Sequence, residues 1–137
     1  MTRARSIVSL AAACAAWTLV ATHAAPGEPA SPAPKVAYFL VKVADQSFVV
    51  GISNDRAIRD ATDCVAGKKK LFPLGTIVPG DGGFNIGFGW HLDPESVRMV
   101  ETAASMCDGL PSDVGSIESK TYCPWRAQIV ERLPDPN

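Results

Sequence analysis

Two short alternating segments open the folded part of the chain. Val36 to Val43 is apolar and β-prone, with Tyr38 and Phe39 inside it, and Ser47 to Ile52 is a second such run. Ala44-Asp45-Gln46 between them fits a hairpin. The period then changes to that of a helix. Asn54 can cap its start, Asp55 suits its first turn, and Gly67 followed by Lys68-Lys69-Lys70 suits its end. Ile58, Ala61 and Val65 fall on one face with Ala57 and Cys64 beside them, so the helix is predicted to cover one side of a sheet. Leu71 to Val78 reads as a third strand, and Pro73 places it at an edge or a bend.

Pro79-Gly80-Asp81-Gly82-Gly83 marks a loop, after which the alternation is clean. Phe84, Ile86, Phe88, Trp90 and Leu92 are predicted to point to one face and to form core. Asn85, Gly87, Gly89, His91 and Asp93 point to the other. The two glycines imply close approach of another backbone, a ligand, or simple twist. Residues 94–107 satisfy two templates. Asp93-Pro94-Glu95 can start a helix with Val97, Val100, Ala104 and Cys107 at helical spacing, but a turn followed by a strand fits as well. Leu110 to Lys120 reads as a loop with a short helix from Pro111, and Trp125 to Leu133 as the last strand. The sum is an α+β domain over residues 36–133, with a largely antiparallel sheet and one main helix packed on it. Residues 134–137 form a loose tail.

The ends change the picture. Arg3 and Arg5 precede an apolar, alanine-rich run from Ile7 to Val20, and Thr22-His23-Ala24 offers small residues at a cleavage site. Residues 1–24 therefore read as a signal peptide, with a lipid-bearing Cys14 as the alternative. Residues 25–35 are rich in proline and alanine and are expected to form a disordered spacer. Cleavage after Ala24 removes Arg3 and Arg5, leaving 13 − 2 = 11 basic against 14 acidic side chains, a net charge of −3. Lys68-Lys69-Lys70 is then the longest basic run, which argues against nucleic acid as a main partner. No later segment is apolar enough to cross a membrane, so a secreted or periplasmic location is expected.

The same export changes the cysteine arithmetic. Cys64, Cys107 and Cys123 remain, and an oxidising compartment favours one pair among them. Cys107 and Cys123 sit beside the turn-formers Asp108-Gly109 and Pro124. A bridge between them would close a loop of about 15 residues and contribute on the order of 3 kcal/mol. Cys64 is left over, as a buried small hydrophobe, a mixed disulfide or an intermolecular bridge. No C-x-x-C is present and His91 is the only histidine after residue 24, so neither zinc nor another cofactor is expected. No G-x-S-x-G nucleophile signature occurs either.

Around His91 several motifs follow one another in order. Phe88 and Trp90 lead into His91-Leu92-Asp93-Pro94 and Ser96-Val97, then come Met106-Cys107-Asp108, Pro111-Ser112-Asp113-Val114 and Cys123-Pro124-Trp125. This series resembles a family of short secreted domains, found in bacteria and some lower eukaryotes, often labelled "calmodulin-binding protein". The likeness spans about residues 36 to 133, with departures at Phe88, Ser105 and Asp113 and a short segment between Val114 and Tyr122. It implies a strand rather than a helix for residues 98–107, and it supports the Cys107–Cys123 bridge. Calmodulin itself is not an expected partner, because its targets are basic amphipathic helices and this chain is acidic.

The expected function is that of an exported, non-enzymatic module binding a protein, peptide or glycan. Its candidate binding residues are His91, Asp93, Trp90, Asp108 and Trp125, with the polar face centred on His91 as the place to look. The alternative is a small hydrolase or metal-binding protein in which His91 works with Asp93, Glu95 or Asp108.

Overall fold

The computed structural model describes residues 26–27, 29–30, 32–33 and 35–137; the predicted signal segment and parts of the predicted spacer lie outside them. In the unit Pro32–Asn137 the first hairpin forms as its alternation dictates. Strand β1 (Ala37–Val43) pairs antiparallel with β2 (Gln46–Ile52), from Ala37 opposite Ile52 to Val43 opposite Gln46. Ala37, Phe39, Val41 and Val43 are buried from one strand, and Phe48, Val50 and Ile52 from the other. The turn is only Ala44-Asp45, with Ala44 held at φ 55°.

Helix α1 (Asp55–Val65) has both of its ends satisfied. Asn54 Oδ1 accepts the Ala57 N–H at 3.0 Å. At the other end Gly67 takes φ 75°, Gly67 N–H donates to Cys64 O, and Lys68 N–H donates to Asp63 O. This is the paired closure that a left-handed glycine permits. The buried stripe runs through Ala57 and Ala61, with Ile58 and Cys64 on its flanks. Val65 does not join it. At 38% exposure it sits at the margin of that stripe, one residue before the chain leaves the helix.

Strand β3 (Phe72–Pro79) is the hub of the second sheet. It pairs antiparallel with β4 (Trp90–Leu92) along Ile77–Pro79, with β5 (Arg98–Val100) along Phe72–Leu74, and with β6 (Thr121–Tyr122) at Gly75–Thr76. Between Leu92 and Arg98 the chain takes an excursion through residues 93–97, while β3 advances only through Gly75 and Thr76. That excursion is pinned by Thr76, whose carbonyl accepts the Asp93 N–H and whose own N–H donates to Ser96 Oγ. A Cβ on Gly75 would come within 3.1 Å of Val97 and 3.3 Å of Leu92, so this position holds glycine to let them close over β3.

The helical spacing in 94–107 is not used. After β5 the chain is irregular up to one 3-10 turn at Ser105–Cys107, and a second 3-10 segment runs from Pro111 to Ser116. Strand β7 (Gln128–Leu133) completes the first sheet beside β1, in the order β2-β1-β7. A register shift opposite Leu40 and Val41 leaves Val130 outward at 46% exposure. Trp125 and Arg126 lie in a turn before this strand rather than in it, because Ala127 N–H folds back to Pro124 O at 3.0 Å.

The architecture is α+β: two small antiparallel sheets, one main helix in contact with β5 and β7, and the Cys107–Cys123 disulfide. An aromatic cluster in the core joins Phe48, Trp90 and Tyr122, with ring centres 5.3–5.6 Å apart.

Candidate functional site

The stretch from Pro79 to Val97 organises itself. Gly80, Gly82, Gly83 and Gly87 all take positive φ, so the segment before Trp90 coils into a loop, and the strand predicted from Phe84 begins only at Trp90. Ile86, expected inside, is 73% exposed as a result. A Cβ on Gly87 or Gly89 would meet nothing within 4 Å among the described residues, so neither marks a close contact, and Gly87 serves its positive φ.

Asn85 fastens this loop. It is 1% exposed, its Oδ1 accepts the Val49 N–H at 2.9 Å, and its Nδ2 donates to Trp90 O at 2.8 Å. Val49 belongs to β2, which pairs only with β1 among the described residues, so Asn85 covers an open sheet edge and ties it to the other sheet.

His91 closes the same loop. Its Nδ1 lies 2.7 Å from Gly80 O, and its ring meets Phe84 edge-on at 5.4 Å. A Cβ on Gly82 would sit 2.9 Å from both rings. Asp93 turns to its own chain: Oδ1 accepts the Glu95 N–H, while its carbonyl accepts the Ser96 N–H and hydroxyl. Trp90 is buried and donates Nε1–H to Pro111 O at 3.1 Å. The polar side chains of this region are thus engaged locally. Among the described residues no three of His, Cys, Asp and Glu gather closely enough to hold a metal ion.

Asp108 and Trp125 belong to a different place. Asp108 Oδ1 accepts the Trp125 N–H at 2.9 Å, beside the Cys107–Cys123 bridge, and Cys123 N–H donates to Cys107 O at 2.8 Å. A disulfide, a carboxylate and the Pro124 carbonyl thus fix a turn whose indole stays 45% exposed. That indole walls an open groove of about 460 Å³. Arg126 and Gln128 continue the wall, Phe72 and Ile129 supply apolar surface, and Lys70 faces them from the segment after α1. Cys64 also lines the groove. It is half-buried and unbridged, and burial pushes its thiol up from the ordinary range, away from the reactive thiolate. Lys69 bends back onto Asp60 at 2.6 Å and Asp63 at 3.2 Å, while Lys70 makes no ion pair among the described residues.

The structure therefore divides the sequence-predicted residues. His91, Asp93 and Trp90 hold the first region, whereas Asp108 and Trp125 hold the second. Sequence reasoning missed Asn85, Tyr122 and the groove residues Lys70 and Arg126. Alternation puts Asn85 on the outward, polar face, so nothing in the pattern marks its burial. Nothing local marks the groove, since Lys70 and Trp125 on its two sides are distant in sequence.

The chain belongs to the BP-74 N-terminal domain family, whose model matches residues 35–136. No curated protein and no solved structure matches it.

Proposed function

We propose that this protein is exported and acts as a non-enzymatic binding module whose contact surface is the groove beside Trp125. The observation that carries the reading is a large indole left half in solvent while its backbone is fixed by a disulfide and by Asp108. Exposed aromatics on rigid supports give contact area at low entropic cost, which is why they dominate binding hot spots. The leader-like segment up to Ala24 supports export, and the bridge is compatible with a location outside the cytoplasm. Among the described residues no helix is long and apolar enough to cross a membrane. The engaged state of His91 and Asp93 favours binding over catalysis.

Calmodulin does not fit as the partner. The one α-helix among the described residues carries Arg56 and Arg59 against Asp55, Asp60 and Asp63, the reverse of the basic targets calmodulin grips. The test is a screen of the mature protein against peptide and glycan arrays, repeated with Trp125→Ala. Binding lost in the variant at an unchanged melting temperature supports the groove; binding that survives the substitution points elsewhere on the surface.

A further inference from the structure

Resting on the reading of this groove as the binding surface, we infer that its occupant is an extended acidic peptide segment carrying an aliphatic anchor. The charge of the groove runs against that of the molecule. The chain after residue 24 is acidic by three charges, yet among the described residues the groove is lined by Lys69, Lys70 and Arg126 and by no carboxylate. Lys69 is already shared between Asp60 and Asp63, while neither Lys70 nor Arg126 makes an ion pair among the described residues. A neighbouring hollow of about 530 Å³ makes the contrast. It shares Lys69 and Lys70 and adds Arg56 and Lys68, but there Asp60 and Glu101 offset part of the positive charge. The Trp125 groove instead leaves cations without a partner of their own.

The apolar part of the lining selects the kind of anion. Leu71, Phe72, Ala127 and Ile129 join the charged groups in the lining, and Trp125 stands with them. A volume of about 460 Å³ falls in the range of roughly 300–1,000 Å³ typical of ligand sites, and suits an aliphatic side chain with its flanking backbone. Sugars present many hydroxyl donors and are held by carboxylates and side-chain amides that accept from them. Here Gln128 is the only such group among the described residues. Peptide carboxylates on either side of an aliphatic residue match Lys70 and Arg126 instead, with Arg126 able to bind in two-pronged fashion. Gln128 and Ile129 also belong to β7, whose pairing is with β1 alone among the described residues, so an extended chain would run beside an open strand.

The experiment uses the mature, disulfide-bonded chain and fluorescein-labelled peptides with a central leucine flanked by glutamates. The controls are the same peptides with glutamines, and a labelled uronic-acid oligosaccharide. Two exposed ion pairs predict that the glutamate peptide binds about tenfold tighter than the glutamine peptide. That preference is lost with Lys70→Glu plus Arg126→Glu, and in high salt. Lys70→Gln plus Arg126→Gln, melting as the wild type does, guards against a folding artefact and gives the same loss. Equal binding of the glutamate and glutamine peptides, or preference for the oligosaccharide, overturns the inference. In that event Trp125→Ala still weakens whichever probe binds, and the groove reading stands. Binding of the glutamate peptide that Trp125→Ala leaves unchanged overturns both.

Discussion

The His91 loop and the Trp125 turn are built from similar materials and come out opposite. Each brings an aromatic side chain, a carboxylate and a tight turn together. In the first, Trp90 goes inward, Asp93 bonds its own turn, and Asn85 and His91 bind the loop shut. In the second, Asp108 and the disulfide hold only the backbone, and Trp125 stays outward with Lys70 and Arg126 lining the same groove. A polar cluster that satisfies all its own hydrogen bonds is architecture. One that rigidifies the chain but leaves side chains uncommitted keeps them available for contact, as the proposed binding role requires.

The strongest way to break the first region is Asn85→Leu. The substitution keeps the number of side-chain heavy atoms but orphans the Val49 N–H and the Trp90 carbonyl, at about 2 kcal/mol each. A loss of ~4 kcal/mol is expected, lowering the melting temperature by more than about 15 °C in a domain of this size. Calorimetry checks it, and a shift of a few degrees would mean that water replaces the amide at little cost. Asn85→Asp tests the geometry further, since it keeps an acceptor for Val49 but turns an oxygen toward Trp90 O.

The second region breaks through its bridge. Cys107→Ser together with Cys123→Ser removes a crosslink between positions 16 apart in sequence, for about 3 kcal/mol. The same pair carries the Trp125 turn, so this variant is expected to lose binding through mobility of the indole as well as stability. Asn85→Leu, by contrast, is expected to leave peptide binding intact at temperatures where the protein remains folded. Denaturant unfolding and peptide titration of both variants separate the two regions. Equal effects of both on binding would remove the distinction drawn between them.

Much of the fold was legible because its elements carry strong local signals. The β1–β2 hairpin follows its alternation, and α1 follows Asn54 and Gly67 at its ends. Cys107 and Cys123 have the spacing and flanking turns of a bridge. The reading failed where one period was imposed on a glycine-rich stretch. Phe84 to Leu92 alternates as a strand should, but positive-φ glycines at positions 80, 82, 83 and 87 coil the approach to it and its first half, and Ile86 ends in solvent. Trp125 to Leu133 failed for a related reason: Pro124 accepts from Ala127 and delays the strand to Gln128. Of the candidate site, Trp125 and Asp108 were legible as residues but not as neighbours of Lys70. That proximity depends on β7 and the segment leading into β3 lining one groove, and no local pattern encodes it.

Tyr122 sits where the two regions meet and gives the finest test of their joining. Its ring contacts Trp90 of the first, its chain neighbour is the bridged Cys123 of the second, and its hydroxyl donates to Gly109 O at 2.9 Å. Burial raises the phenol above its ordinary value of 10.0, and the charges of Asp108 and Asp113 add to the effect. The folded state therefore holds the proton where the unfolded chain would release it. Stability from this source is whole below about pH 10 and falls as pH rises from there toward the folded value, by up to about 1.4 kcal/mol per pH unit. Tyr122→Phe should cost about 1 kcal/mol at neutral pH, where the hydroxyl bond is lost. Above about pH 10 the deficit should shrink and then reverse, because phenylalanine has no proton to give up. Tyr38, which burial also raises, is present in both proteins and cancels from the difference. Unfolding free energies measured from neutral pH to about pH 11 decide the matter. Parallel curves throughout would mean that Tyr122 ionises as freely in the folded protein as outside it, and that the core at this junction admits water.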